Sequence, residues 1–89
     1  MLIVTEAAAA HLAQVLECQK VPLSIAVRLT VEGQSIAMQP DTVREGDMVF
    51  QHEGRAVLLL DEETARLFAD DRLDFRENGL LLQRAAESD

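Results

Sequence analysis

Residues 24–31 alternate without a miss, with Ile25, Val27, Leu29 and Val31 on one parity and Ser24, Ala26, Arg28 and Thr30 on the other. Successive side chains of a strand point to opposite faces, so this spacing predicts a strand with one apolar face and one more polar face. A chain carrying such a segment must assemble a sheet around it, and the flanking sequence supplies the partners. Glu32-Gly33-Gln34-Ser35 reads as a turn, Ile36-Ala37-Met38 as a short return strand, and residues 40–46 as a polar connection. Met48 to His52 and Arg55 to Leu60 read as two further strands joined through Glu53-Gly54. Val57-Leu58-Leu59-Leu60 is apolar on both parities, the pattern of a central strand covered on both faces.

Helices flank this β-rich middle. Leu2-Ile3-Val4 is a short strand, Thr5 an N-cap, and residues 6–19 a helix whose Ala8, Ala9, Leu12, Val15 and Leu16 form one apolar stripe. Lys20 suits the negative end of that helix, and Pro22 stops it. Asp61 is a second N-cap, with Glu62 and Glu63 in the first turn of a short helix over residues 61–69. Leu73 and Phe75 alternate with Arg72, Asp74 and Arg76, Asn78-Gly79 is a favoured type I′ pair, and residues 80–83 return, which predicts a terminal hairpin. Residues 1–84 are expected to form one domain and residues 85–89 a disordered tail.

Eighty-nine residues suffice for one small core, since a domain of this size buries only about 60–65% of its unfolded surface. The one cysteine, Cys18, rules out an intrachain disulfide and a self-contained multi-thiolate metal site. Apolar packing must hold the fold, with self-association as an available support. The thiol usage suits a reducing cytoplasm, and the first residues have neither the basic segment nor the apolar length of a signal peptide. No run of apolar residues is long enough to span a bilayer. A net charge of −8 is the wrong sign for binding phosphates, and the chain has no Trp or Tyr on which bases could stack. Nucleic acid and membrane are therefore not expected partners.

Catalytic and metal-binding candidates each have a simpler structural explanation. Cys18 lies near a helix C-terminus, where the dipole disfavours a thiolate, and shares a stripe with His11 and Gln14 at the rim of the helix. His11 and Cys18 are seven residues apart, a rise of about 10.5 Å, too far to chelate one ion from a straight helix. His52 shares the parity of Met48 and Phe50 and is expected at the edge of the core. Asp61-Glu62-Glu63 is accounted for by helix capping and Asp70-Asp71 by a turn, and neither has the spacing of a calcium loop. No serine lies in a G-x-S-x-G setting, and all four glycines fall where turns are required. The sequence predicts no catalytic residue, no metal ligand set and no cofactor.

Three stretches carry a family resemblance. They are Ile3-Val4-Thr5-Glu6-Ala7-Ala8 opening a helix; Asp47-Met48-Val49-Phe50 with Gly54 and the run from Val57 to Asp61; and Leu73-Asp74-Phe75 followed by Gly79-Leu80. In this order they resemble the HesB-like family, the IscA-type or A-type carriers of iron-sulfur cluster biosynthesis. The resemblance spans roughly residues 2–84 and implies an α+β, mainly β fold. That fold is a compact pseudobarrel or sandwich of mixed sheets, with an N-terminal helix and a short second helix, often self-associating.

In that family a cysteine in a Ser-Gly-Cys-Ser-Gly-like turn after the alternating strand, together with a C-terminal Cys-Gly-Cys pair, binds iron or a cluster shared between subunits. Here the first position falls on Gln34, and the pair has no counterpart after Arg84. An amide oxygen is a hard donor and does not replace a soft thiolate. The resemblance thus implies a non-catalytic HesB-like domain without the family's cysteine ligands that works by binding protein, as an accessory or regulatory module, with Gly33, Gln34 and Ser35 as the candidate binding turn. Its partners are then protein, iron-sulfur assembly components among them. One rival reading is a weak iron or cluster carrier using Cys18 or His52 across an oligomer. A second is a small enzyme using His52.

Overall fold

Thr5 sets the first boundary in the fold. In this computed structural model, which describes residues 2–33, 35–77 and 79–84 and only the backbone of residue 84, β1 (Ile3–Val4) runs straight into α1 (Glu6–Cys18). Thr5 between them is extended, and its Oγ1 accepts from the Ala8 N–H at 3.2 Å, satisfying an amide that every helix start leaves free. The same hydroxyl donates to Asp74 Oδ1 at 2.8 Å, while the Thr5 N–H donates to the Leu73 carbonyl at 3.0 Å. The cap is thereby fastened to β6 (Asp71–Arg76). At its other end α1 stops at Lys20, which turns left-handed at φ 56°. The Lys20 and Val21 amides donate back to the Glu17 and Leu16 carbonyls at 3.0 and 3.4 Å. This is a Schellman closure, so the helix has already ended before Pro22.

The remaining elements are β2 (Ile25–Glu32), β3 (Ser35–Thr42), β4 (Met48–His52), β5 (Arg55–Leu60), α2 (Glu62–Leu67) and β7 (Gly79–Arg84). They form a four-stranded sheet in the order β3-β2-β5-β4 and a three-stranded sheet in the order β1-β6-β7. Both sheets are mixed: β2/β5 and β1/β6 are parallel, the other pairs antiparallel. The fold is α+β and sandwich-like, with an N-terminal helix and a short second one, and the sheets do not close into a barrel.

Two boundaries differ by more than one residue from those expected from sequence. The return strand is longer than Ile36-Ala37-Met38, because Pro40, Asp41 and Thr42 remain in register with Val27, Ala26 and Ile25. A proline is tolerated there because β3 is an edge strand, where a missing N–H costs no ladder bond on the open side. Helix α2 ends at Leu67 rather than residue 69, with Phe68 as its cap. Asn78 and the 85–89 tail lie outside the described residues. The β4–β5 hairpin turns at Glu53 and Gly54, both at positive φ (53° and 82°), as a type I′ turn demands.

Helix α1 buries Ala8, Ala9, Leu12, Ala13 and Leu16 against Val27, Leu29, Leu58, Leu60 and Leu73. Each fully buried leucine contributes roughly 1.5–3 kcal/mol. Helix α2 also packs on β2 and β5. Val57 to Leu60 are accordingly buried without exception, as the apolar run predicts. The more polar parity of β2 is nevertheless buried, where Asp41, Thr42 and Asp47 close over Arg28. Ala26 is fully buried and Arg28 only 4% exposed.

Candidate functional site

The turn singled out from sequence is the tip of the β2–β3 hairpin. Glu32 and Ser35 form the last cross-strand pair, leaving residues 33 and 34 as a two-residue connection. Gly33 adopts φ +65°, a conformation that glycine enters without the penalty of a Cβ. Gly33 and Ser35 are exposed, and Gln34 lies outside the described residues.

The thiol and the imidazoles are dispersed. Cys18 is exposed at the end of α1, on the rim of an open concavity of about 640 Å³ that also takes in Gln14, His11 and Phe75. His11 is not a free neighbour for that thiol. Its ring stacks on Phe75 with centroids 4.1 Å apart and planes 16° from parallel, so α1 is pinned to β6 by an aromatic contact as well as by Thr5. His52 is half-buried at the β4 edge, with Nε2 3.9 Å from the exposed carboxylate of Glu53. Asp61 caps α2 by accepting from the Thr64 N–H at 2.8 Å, and this backbone hydrogen bond is the main reason its carboxyl is held below the usual range. Among the described residues no group of three or more His, Cys, Asp and Glu is placed to hold a metal ion.

A second, narrower cavity of about 210 Å³ lies between α1 and β3, where Leu12, Val15 and Leu16 face Met38, Pro40 and Leu80. Its lining is mainly apolar, with His11, Gln19 and Gln39 as the polar members.

The most organised polar constellation is not legible in the sequence. Arg28 projects from the buried face of β2; its Nη1 and Nη2 donate to Asp47 Oδ1 and Oδ2 at 3.1 and 2.6 Å, and its Nε donates to Asp41 Oδ2 at 2.6 Å. Nη2 also donates to the Thr42 carbonyl at 3.1 Å. Hydrogen bonding to Asp47 raises the pKa of Arg28, and the Arg28 guanidinium in turn holds Asp47 below the ordinary carboxylate range. Asp41 is lowered mainly by the Thr42 N–H and then by Arg28. All three guanidinium nitrogens are engaged, so the group works as a clamp joining β2, the end of β3 and the β3–β4 connection. In sequence Arg28 looks like one polar position in an alternating strand. Only the register and the β3–β4 connection folding onto it reveal that it is buried.

These features define an α+β domain of two mixed sheets built on a structural ion cluster, with an exposed hairpin turn and dispersed thiol and imidazole groups. The same fold occurs in SufA of Escherichia coli, a protein involved in the biosynthesis of iron-sulfur clusters. The match has a TM-score of 0.66 and 23% sequence identity, and covers 98% of this chain and 82% of SufA. No family model matches the sequence, and no curated protein matches it significantly.

Proposed function

We propose that this protein is a non-catalytic, HesB-like binding module, an accessory or regulatory partner in iron-sulfur cluster assembly that no longer carries a cluster itself. The observation that carries this reading is a SufA-like fold over 98% of a chain with a single cysteine. That cysteine sits on α1 and not in the β2–β3 turn. Clusters are held by several thiolates, sometimes with imidazole, and the side chain at residue 34 is an amide. The proposed contact is the turn at Gly33, Gln34 and Ser35, of which Gly33 and Ser35 are exposed, and the proposed setting is the cytoplasm. Purification of the tagged protein from its native cells tests the reading. Recovery of iron-sulfur assembly proteins, reduced when Gly33 and Ser35 are replaced by bulky residues, is the expected result; recovery unaffected by those changes would remove the turn from the proposal.

The exposure of Cys18 favours one alternative, a weak iron or cluster carrier that completes its ligand set across an oligomer. Cys18-dependent cluster binding distinguishes it from the first reading.

A further inference from the structure

The two faces of the three-stranded sheet differ in their cover. Helix α1 packs on the side of Leu73, and side chains alternate along a strand, so Arg72 and Asp74 of β6 stand on the other side. The register places Ile3 and Gln83 beside Arg72, and Leu81 opposite Asp74. On this outer face Ile3 is 48% and Leu81 40% exposed, while Arg72 is half-buried.

Arg72 is left without a counter-charge in a chain where carboxylates are in excess, sixteen acidic side chains to eight basic. Arg28, Arg44, Arg66 and Arg76 each pair with a carboxylate, and Arg55 donates to the Pro22 carbonyl. The Arg72 side chain has no ion pair or hydrogen bond among the described residues, and its Nε is buried without an acceptor. Asp74, the carboxylate on the same strand face, is already engaged. Its Oδ1 accepts from the Thr5 hydroxyl and the Phe75 N–H, both at 2.8 Å, and its Oδ2 from Arg76 Nε at 2.9 Å. A guanidinium with a covered, unpaired N–H has given up hydration with no bond in return, a cost that a carboxylate from outside the fold offsets.

We infer that the outer face of the three-stranded sheet docks a segment of a partner protein that sets one Asp or Glu carboxylate on Arg72 and apolar side chains on Ile3 and Leu81. The planar guanidinium suits a carboxylate, which it can meet with two parallel hydrogen bonds. Ile3 lies on the β1 side of Arg72 and Leu81 on the β7 side. Covering both excludes water from the ion pair and strengthens it. Charge narrows the occupant further. A chain of net charge −8 repels an acid-rich segment, and Arg72 matches a single carboxylate, so the segment carries a lone acid among apolar residues. A bare anion would leave Ile3 and Leu81 uncovered. This face belongs to the other sheet from the β2–β3 turn, and the inference does not depend on the proposed role in iron-sulfur assembly.

The test is an NMR titration of the isotope-labelled full chain with two serine-flanked peptides, one holding a single glutamate between leucines and the other glutamine in its place. The expected result is saturable amide shifts at Ile3, Arg72, Leu81 and Gln83 with the glutamate peptide. Binding should be about tenfold weaker for the glutamine peptide, and for the glutamate peptide on Arg72→Gln. Leu81→Glu, which sets a second carboxylate on the face, should also weaken binding, whereas Arg66→Gln, on α2, should leave it unchanged. The amide spectra themselves report whether each variant is folded. The inference is overturned if the glutamate peptide gives no saturable shift up to its solubility limit, if the two peptides bind equally, or if folded Arg72→Gln or Leu81→Glu binds as wild type does. It is overturned equally if acetate alone reproduces the shifts at the same concentration, which makes the site one for a bare anion, or if sedimentation shows an Arg72-dependent dimer, which makes a second copy the occupant.

Discussion

Arg28 and Asp47 meet fork to fork, with Nη1 and Nη2 at 3.1 and 2.6 Å from the two carboxylate oxygens, and their side chains are only 5% and 3% exposed. Nineteen positions separate them in the chain. The pair, extended by Asp41, holds the β3–β4 connection against β2. Asp47 also accepts from the Arg44 N–H at 2.7 Å, closing the turn in which Gly46 sits at φ +88°.

Removing one member of such a pair leaves a dry, unpaired charge. Arg28→Ala should destabilise the fold by about 3 kcal/mol, read as a fall in the denaturant midpoint with little change in slope. By contrast Arg66→Ala, which breaks an exposed pair with Glu62 at 3.5 Å, should cost less than about 0.5 kcal/mol. Equal effects in the two variants would contradict the distinction drawn between clamp and surface pair.

Acid should unfold the protein through its aspartates. Asp41, Asp47, Asp61 and Asp74 all have carboxyl pKa values held below the ordinary range in the fold. For Asp74 the chief cause is the Thr5 hydroxyl, followed by the Phe75 N–H. A group with a depressed folded pKa gives its full stabilisation above its unfolded value, near 3.9 for Asp, and loses it as pH falls through the folded value. Stability from these four groups is therefore expected to be flat above about pH 5 and to fall below about pH 4. Asp47→Asn should flatten that fall. Urea midpoints measured across this range check both.

Thr5 and Asp74 should behave as a coupled unit. Thr5→Val removes the acceptor for the Ala8 amide and the donor to Asp74 together, and a lost N-cap costs about 1 kcal/mol. A double-mutant cycle with Asp74→Ala should show coupling, whereas independent sites would add. Strict additivity would mean that the 2.8 Å contact contributes nothing to fastening α1 on β6.

Much of the architecture follows from period and capping alone. The strand over residues 25–31, the caps at Thr5 and Asp61, and the doubly buried run from Val57 to Leu60 each rest on local rules. The return strand is longer than its sequence suggests because Pro40 signals a strand end, and only the edge position of β3 makes it compatible with pairing. Alternation places Arg28 on a more polar face and says nothing about what covers that face; Asp41 and Asp47 do so from 13 and 19 positions away. The His11–Phe75 stack was equally hidden, since it depends on how α1 crosses β6. Of the candidate turn, the flanking Gly33 and Ser35 fall where the hairpin reading places them, and Gln34 lies outside the described residues.

The central claim is that this SufA-like fold no longer carries a cluster. Anaerobic incubation of the purified chain with iron and sulfide, followed by desalting and visible absorption spectroscopy, tests it directly. The account predicts no stoichiometric cluster absorption, and the same featureless spectrum for wild type and Cys18→Ser. A stoichiometric chromophore that disappears in Cys18→Ser would contradict it.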